Sequence, residues 1–304
     1  MCVHPMTRSK GEDTLFTELF RHGRTAASLA LFRDLILGYY RESGRHHLPW
    51  RKNTEPYCIF VSEVMLQQTQ VSRIEEYFPR FISAFPDFAT LAGTPLAEVL
   101  GIWQGLGYNR RAKYLRESAR IITEKYGGIL PSDPGILATL PGIGRATAAS
   151  IAAFAYDIPA IFIETNIRRV FIHFFFQDRT GISDREILPI LEESLEGVSP
   201  REWYSALMDY GTMLRESGVN PNQKSRSYRK QAPFEGSGRQ LRGRVLRLLL
   251  EEGEHSGEEA AALLGEAPER TGAVMETLAK EGFCVAEAGR YRLVHHEGRP
   301  DDLI

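Results

Sequence analysis

The sequence predicts an all-α chain that ends in a small winged-helix-like domain. Apolar residues recur at helical spacing across residues 26–214, strand-like alternation is scarce there, and glycine and proline punctuate the periodic runs. Beyond a polar break, three short helical runs are followed by one strand-like hairpin. An apolar share of 43% over 304 residues is enough for more than one core.

Residues 1–25 are polar and mixed, which predicts a loosely ordered lead-in. From Ala26 to Tyr40, Leu29, Leu31, Phe32, Leu35, Ile36 and Leu37 form the first helical pattern. Further patterns cover 60–84, 95–101, 109–125, 134–138, 145–155, 164–176, 183–195 and 200–214. Phe85-Pro86, Gly127-Gly128, Leu130-Pro131 and Pro141-Gly142 mark breaks. Residues 215–238 carry little apolar content and read as a basic linker or loop. The unit 239–304 then shows a helical face at Leu241, Val245, Leu248 and Leu249, short helices at 260–264 and 271–278, and a hairpin over 284–294. Winged helices often set their third helix in DNA. Here that helix has only Arg270 and Lys280, against Glu269, Glu276 and Glu281, so packing stands at least level with base reading.

A net charge of −2 gives no global sign of nucleic-acid binding. Two basic segments stand out: Arg110, Arg111, Lys113, Arg116 and Arg120, then residues 224–247 with Lys224, Arg226, Arg229, Lys230, Arg239, Arg242, Arg244 and Arg247. Charge alone reads them as solvated faces; tracking of a phosphate backbone needs further support. No stretch approaches the roughly 18 apolar residues of a membrane span, and Met1 to Lys10 lack an apolar signal core. Together with three scattered cysteines, Cys2, Cys58 and Cys284, this predicts a cytoplasmic protein, nucleoid-associated if bacterial, without membrane contact. Three cysteines cannot hold a four-cysteine cluster, and no metal site is expected.

The string Leu140-Pro141-Gly142-Ile143-Gly144, followed by Arg145, suits a tight turn into a helix N-terminus, where backbone N–H groups attract an anion such as a DNA phosphate. In isolation it reads as a plain connection between two helices. Two further segments accompany it: Leu48-Pro49-Trp50-Arg51 with Pro56-Tyr57 and Val61–Val71, and Trp103–Tyr108 with Arg111-Ala112. With Asn166–Val170, these resemble the adenine DNA glycosylases of the MutY type, in the helix-hairpin-helix glycosylase superfamily, over about residues 26–214.

The resemblance implies a two-lobed helical domain that flips a base from duplex DNA containing a mispair and cleaves its N-glycosidic bond, as a monomer. It makes Glu63 the general acid toward adenine N7, a role that burial among Val61, Val64, Met65 and Leu66 would support by raising its pKa. Gln67 and Gln68 match residues that contact the base opposite, and Tyr108 the aromatic wedge that offsets unstacking. Arg111 and the Leu140–Arg145 hairpin complete the DNA-binding set. Glu164 stands where the superfamily has an aspartate that stabilises the oxocarbenium ion, and Asn166 orients it.

Departures from the family pattern are informative. Ala146 replaces the lysine with which lyase-type members form a Schiff base, so a monofunctional glycosylase is expected. Residues 214–232 contain no cysteine, so the family's iron–sulfur cluster is expected to be absent and no cofactor is implied. Arg226, Arg229 and Lys230 of that loop are candidates for DNA contact by charge. The family's Nudix-like C-terminal domain is replaced by the winged-helix candidate. Two alternatives stay open: a mismatch thymine or uracil glycosylase on the same scaffold, and a non-catalytic DNA-binding protein.

Overall fold

The computed structural model describes residues 25–229 and 234–294; all but the last residue of the lead-in expected over residues 1–25, and Lys230, lie outside them. The first helices are α1 (Ala26–Ser43), α2 (Pro49–Lys52), α3 (Pro56–Leu66), α4 (Val71–Ala84), α5 (Phe88–Gly93), α6 (Leu96–Trp103), α7 (Arg110–Tyr126) and α8 (Pro134–Leu137). Then come α9 (Arg145–Tyr156), α10 (Thr165–Phe175), α11 (Asp184–Ser194) and α12 (Pro200–Glu216), followed by a 3₁₀ turn (Pro221–Lys224). The last part holds α13 (Gly238–Glu251), β1 (His255–Ser256), α14 (Gly257–Leu264), α15 (Pro268–Lys280), β2 (Cys284–Glu287) and β3 (Arg290–Leu293).

The pattern expected over 60–84 is two helices, because the chain turns at Gln68, whose φ of 56° is left-handed. Helix α5 escaped the periodicity, being only one and a half turns long; Asp87 caps it by accepting from Thr90 N at 2.7 Å. The basic segment at 215–238 is not simply a linker, since Pro221–Lys224 is ordered and Ile182 pairs with Ser225.

The described residues form two compact units, each discontinuous in sequence: 25–52 with 145–229, and 53–144 with 234–294. The serial division expected, 26–214 and 239–304, is therefore not the one the packing draws. In the first unit, Phe32 of α1 is fully buried and meets Phe171, Phe174 and Trp203 edge-on at 5.3, 5.1 and 5.5 Å, which fastens α1 to α10 and α12. In the second unit, Trp103 and Phe81 are fully buried among α3 to α7. The winged-helix pattern is present there: α13, α14 and α15 enclose Val245, Ala260, Met275 and Leu278 against an antiparallel sheet of order β1-β3-β2. Its hairpin turns at Ala288 and Gly289, both with positive φ (48° and 79°), as the twist of a two-residue β-turn requires.

Candidate functional site

The second unit brings together Glu63, Gln67, Gln68, Tyr108, Arg111 and Leu140–Gly144; the first holds Arg145, Glu164 and Asn166. Glu63 lies half-buried on α3, between the buried Ser62 and Val64. That helix receives at its end a bond from Thr69 Oγ1 to Gln67 O at 3.4 Å. Its terminal carbonyls are collected by Arg111, whose Nη1 donates to Val64 O, Met65 O and Gln67 O at 3.1, 2.5 and 2.8 Å. A cation at a helix C-terminus answers both the orphan carbonyls and the helix dipole.

Arg111 itself is only 7% exposed, and burial pushes its guanidinium pKa down to about 10. Nη2 donates to Thr69 Oγ1, Leu106 O and Gly107 O at 3.0, 3.3 and 3.1 Å. The guanidinium lies over the Trp103 and Tyr108 rings at 5.2 and 5.5 Å. The DNA contact expected of Arg111 is thus corrected. The side chain is committed inward, where it ties the end of the Glu63 helix to the 104–108 loop. Tyr108, at the tip of that loop, is 37% exposed and has a left-handed φ of 49°; Gln68 is also exposed.

The turn at 140–143 follows local chemistry. Ile143 N donates to Leu140 O at 3.1 Å, with Pro141 second and Gly142 third at φ 75°, the pattern of a type II turn. A Cβ at Gly142 would also stand 2.9 Å from Tyr114 Cβ. Gln67 Nε2 donates to Gly142 O at 3.3 Å and Ser118 Oγ to Pro141 O at 3.1 Å, so the turn is anchored through its carbonyls. Leu140 and Ile143 have buried side chains, which restricts any DNA contact of theirs to backbone atoms; Gly142, Gly144 and Arg145 are exposed. Helix α9 starts at Arg145, and first-turn amides of a helix have no intrahelical acceptor.

In the first unit, Glu164 is the N-cap of α10. Oε1 accepts from Asn166 N and Ile167 N at 2.6 and 2.7 Å, and Oε2 from Asn166 Nδ2 at 3.3 Å. The extra methylene relative to aspartate is taken up by folding the carboxyl group back onto its own helix. Burial raises its pKa, opposed by the two backbone donors and by Arg169 and Arg168. Asn166 Oδ1 accepts from Arg169 Nη1 at 2.5 Å, and the same nitrogen donates to Gly211 O at 2.7 Å.

Sequence reasoning missed two supports. Gly211 admits α12 against α10, since a Cβ there would come within 2.5 Å of Asn166 O. Asp209 is 2% exposed and accepts from Arg51 Nη1 and Nη2 at 2.5 and 2.8 Å and from Arg45 N and Nε at 2.7 and 2.6 Å. Burial pushes its carboxyl pKa up, but the arginines outweigh this and the net shift is downward. A glycine and an aspartate inside a helical pattern were the available signals.

Residues 61–196 match the family described as HhH-GPD superfamily base excision DNA repair protein. The adenine DNA glycosylase of Mycobacterium tuberculosis is 33% identical over 236 residues, covering 70% of this chain and 77% of that one. The chain belongs to the adenine DNA glycosylase family. The family's member in Buchnera aphidicola subsp. Baizongia pistaciae is 35% identical over 188 residues, covering 60% of this chain and 53% of that one. The chain thus spans about half the length of the first curated relatives it matches. Among solved structures, a thermostable thymine-DNA glycosylase superposes with a TM-score of 0.54 at 25% identity, over 61% of this chain and 86% of that one.

The segment where the family resemblance implies an iron–sulfur cluster does not fit one. Asn222, buried, donates through Nδ2 to Thr165 O at 2.9 Å, and Lys224 Nζ donates to Gln177 O at 2.6 Å. Ile182 N and Arg226 N exchange bonds with Lys224 O and Ile182 O at 3.0 and 2.9 Å. These are amide and ammonium groups, not thiolates. Arg226 and Arg229 of the same segment are exposed.

Proposed function

We propose that this chain is a monofunctional DNA glycosylase of base excision repair. Its substrate is adenine mispaired with 8-oxoguanine or guanine in duplex DNA, and it acts as a monomer without a cofactor. The observation that carries this reading is the 33% identity over 77% of the M. tuberculosis enzyme, with Glu63 inside the matched family region. In the reaction, the bond from sugar C1′ to the base N9 breaks and its electron pair leaves with the base. Glu63 supplies the proton that the departing base takes up at N7. The cationic sugar is stabilised by the Glu164 carboxylate, and water adds at C1′, losing a proton that restores the acid. Ala146 offers no amine, so no Schiff base forms from that position. Gln67, Gln68 and Tyr108 fill the gap left by the flipped nucleotide, and the 140–145 hairpin holds a backbone phosphate.

Glu63→Gln should abolish base release while duplex affinity persists; release at the wild-type rate would remove Glu63 from the mechanism. A second reading, a mismatch thymine glycosylase, is favoured by the 25% identity to the thymine-DNA glycosylase structure. Release of thymine from G·T pairs, with adenine untouched, would establish it instead.

A further inference from the structure

Arg110, Lys113, Arg242 and Arg244 of the two basic segments are spent inside the second unit. Glu281, at the end of α15, pairs with Arg110 and with Arg242, the latter at 2.5 Å, and its carbonyl accepts from Lys113. Arg244 pairs with Glu266 at 2.8 Å. On α15, Arg270 is held by Glu266 at 2.8 Å and by Gly236 O at 2.7 Å, and Lys280 stands 4.0 Å from Glu276. The face that winged helices commonly set in DNA is therefore neutralised by its own glutamates.

Helix α13 is different. Arg239, Gly243 and Arg247 are exposed and spaced four apart, so they share one face. Among the described residues Arg247 has no ion-pair partner, and a Cβ at Gly243 would meet nothing within 4 Å, so a ligand backbone can approach closely there. This helix lies along the 104–108 loop at both its ends. Arg239 Nη1 donates to Tyr108 Oη at 3.0 Å, and Gln104 Nε2 donates to Glu251 Oε1 at 3.2 Å.

We propose that the C-terminal domain grips the duplex backbone beside the Tyr108 wedge through α13 rather than α15, with Arg239 and Arg247 each on one phosphate. The inference rests on the reading of Tyr108 as the wedge of a DNA glycosylase. The two arginines are separated by about 12 Å along the helix, roughly three to four base-pair rises, which suits two phosphates of one strand.

The test measures affinity of the full chain for a duplex carrying an abasic-site analogue, across a salt series. The double variant Arg239→Gln, Arg247→Gln should flatten the slope of log K against log salt by about two, at about 0.9 for each phosphate lost. Lys280→Ala, on α15, should leave the slope unchanged. An unchanged slope in the double variant, with wild-type binding still salt-dependent, overturns the inference and leaves the glycosylase reading standing. So does a loss on Arg239→Gln that vanishes in a Tyr108→Phe background, because Arg239 would then act only on the wedge. Wild-type protein that neither binds the duplex nor releases a base sinks the functional reading itself.

Discussion

Gly211→Ala separates two physical arguments that predict opposite signs. Helix propensity alone favours alanine inside α12 by about 0.5–1 kcal/mol. Packing opposes it, because the new Cβ would stand 2.5 Å from Asn166 O and 2.7 Å from Asn166 Cβ, where ordinary contact begins at 3.4 Å. The start of α10 must give by about 0.9 Å, and overpacking of this kind costs about 1–3 kcal/mol. The net expectation is a loss of about 1–2 kcal/mol. The chemical effect should be larger than the thermodynamic one. Asn166 holds Glu164 Oε2 through a bond already 3.3 Å long, so a retreat of that size breaks it. Misplacing a reacting group by about 1 Å costs on the order of 100-fold in rate. Single-turnover base release with enzyme in excess reads the rate, and urea unfolding of the same preparation reads the stability. Raised stability with an unchanged rate would refute the packing argument.

Arg111→Lys removes a planar fork that serves six acceptors and leaves at most three donors, so it should cost about 3 kcal/mol or more and slow base release. An unshifted urea midpoint would contradict the inward role given to this side chain. Asp209→Asn leaves Arg51 and Arg45 without their buried counter-charge and should cost about 3–5 kcal/mol at neutral pH. Since the Asp209 pKa is lowered in the folded state, its stabilisation is complete above the ordinary carboxylate range. The gap between wild type and variant should narrow as pH falls through that range toward the lower folded value; a gap constant down to strongly acidic pH would count against the ion pair.

Local features were legible in the sequence where the signal is local. Helix spans follow apolar period and the 140–143 turn follows Pro-Gly chemistry, whereas the role given to Glu63 rests on the family resemblance. Arg111 was not legible. A basic residue beside a wedge motif reads as a DNA contact, and only tertiary packing turns its guanidinium toward the carbonyls of α3. Asn222 was hidden for the converse reason, lying buried in a segment whose composition reads as linker. The break in composition near residue 215 marks a change along the chain. Association instead follows Glu281 with Arg110 and Arg242, contacts far apart in sequence.

The most direct test of the account is base release by the wild-type chain from a panel of defined duplexes, with adenine opposite 8-oxoguanine, adenine opposite guanine, G·T and G·U. The account predicts free adenine from the first two and an abasic site left uncleaved, as Ala146 requires. Thymine or uracil released with adenine retained, or strand cleavage coupled to release, would contradict it.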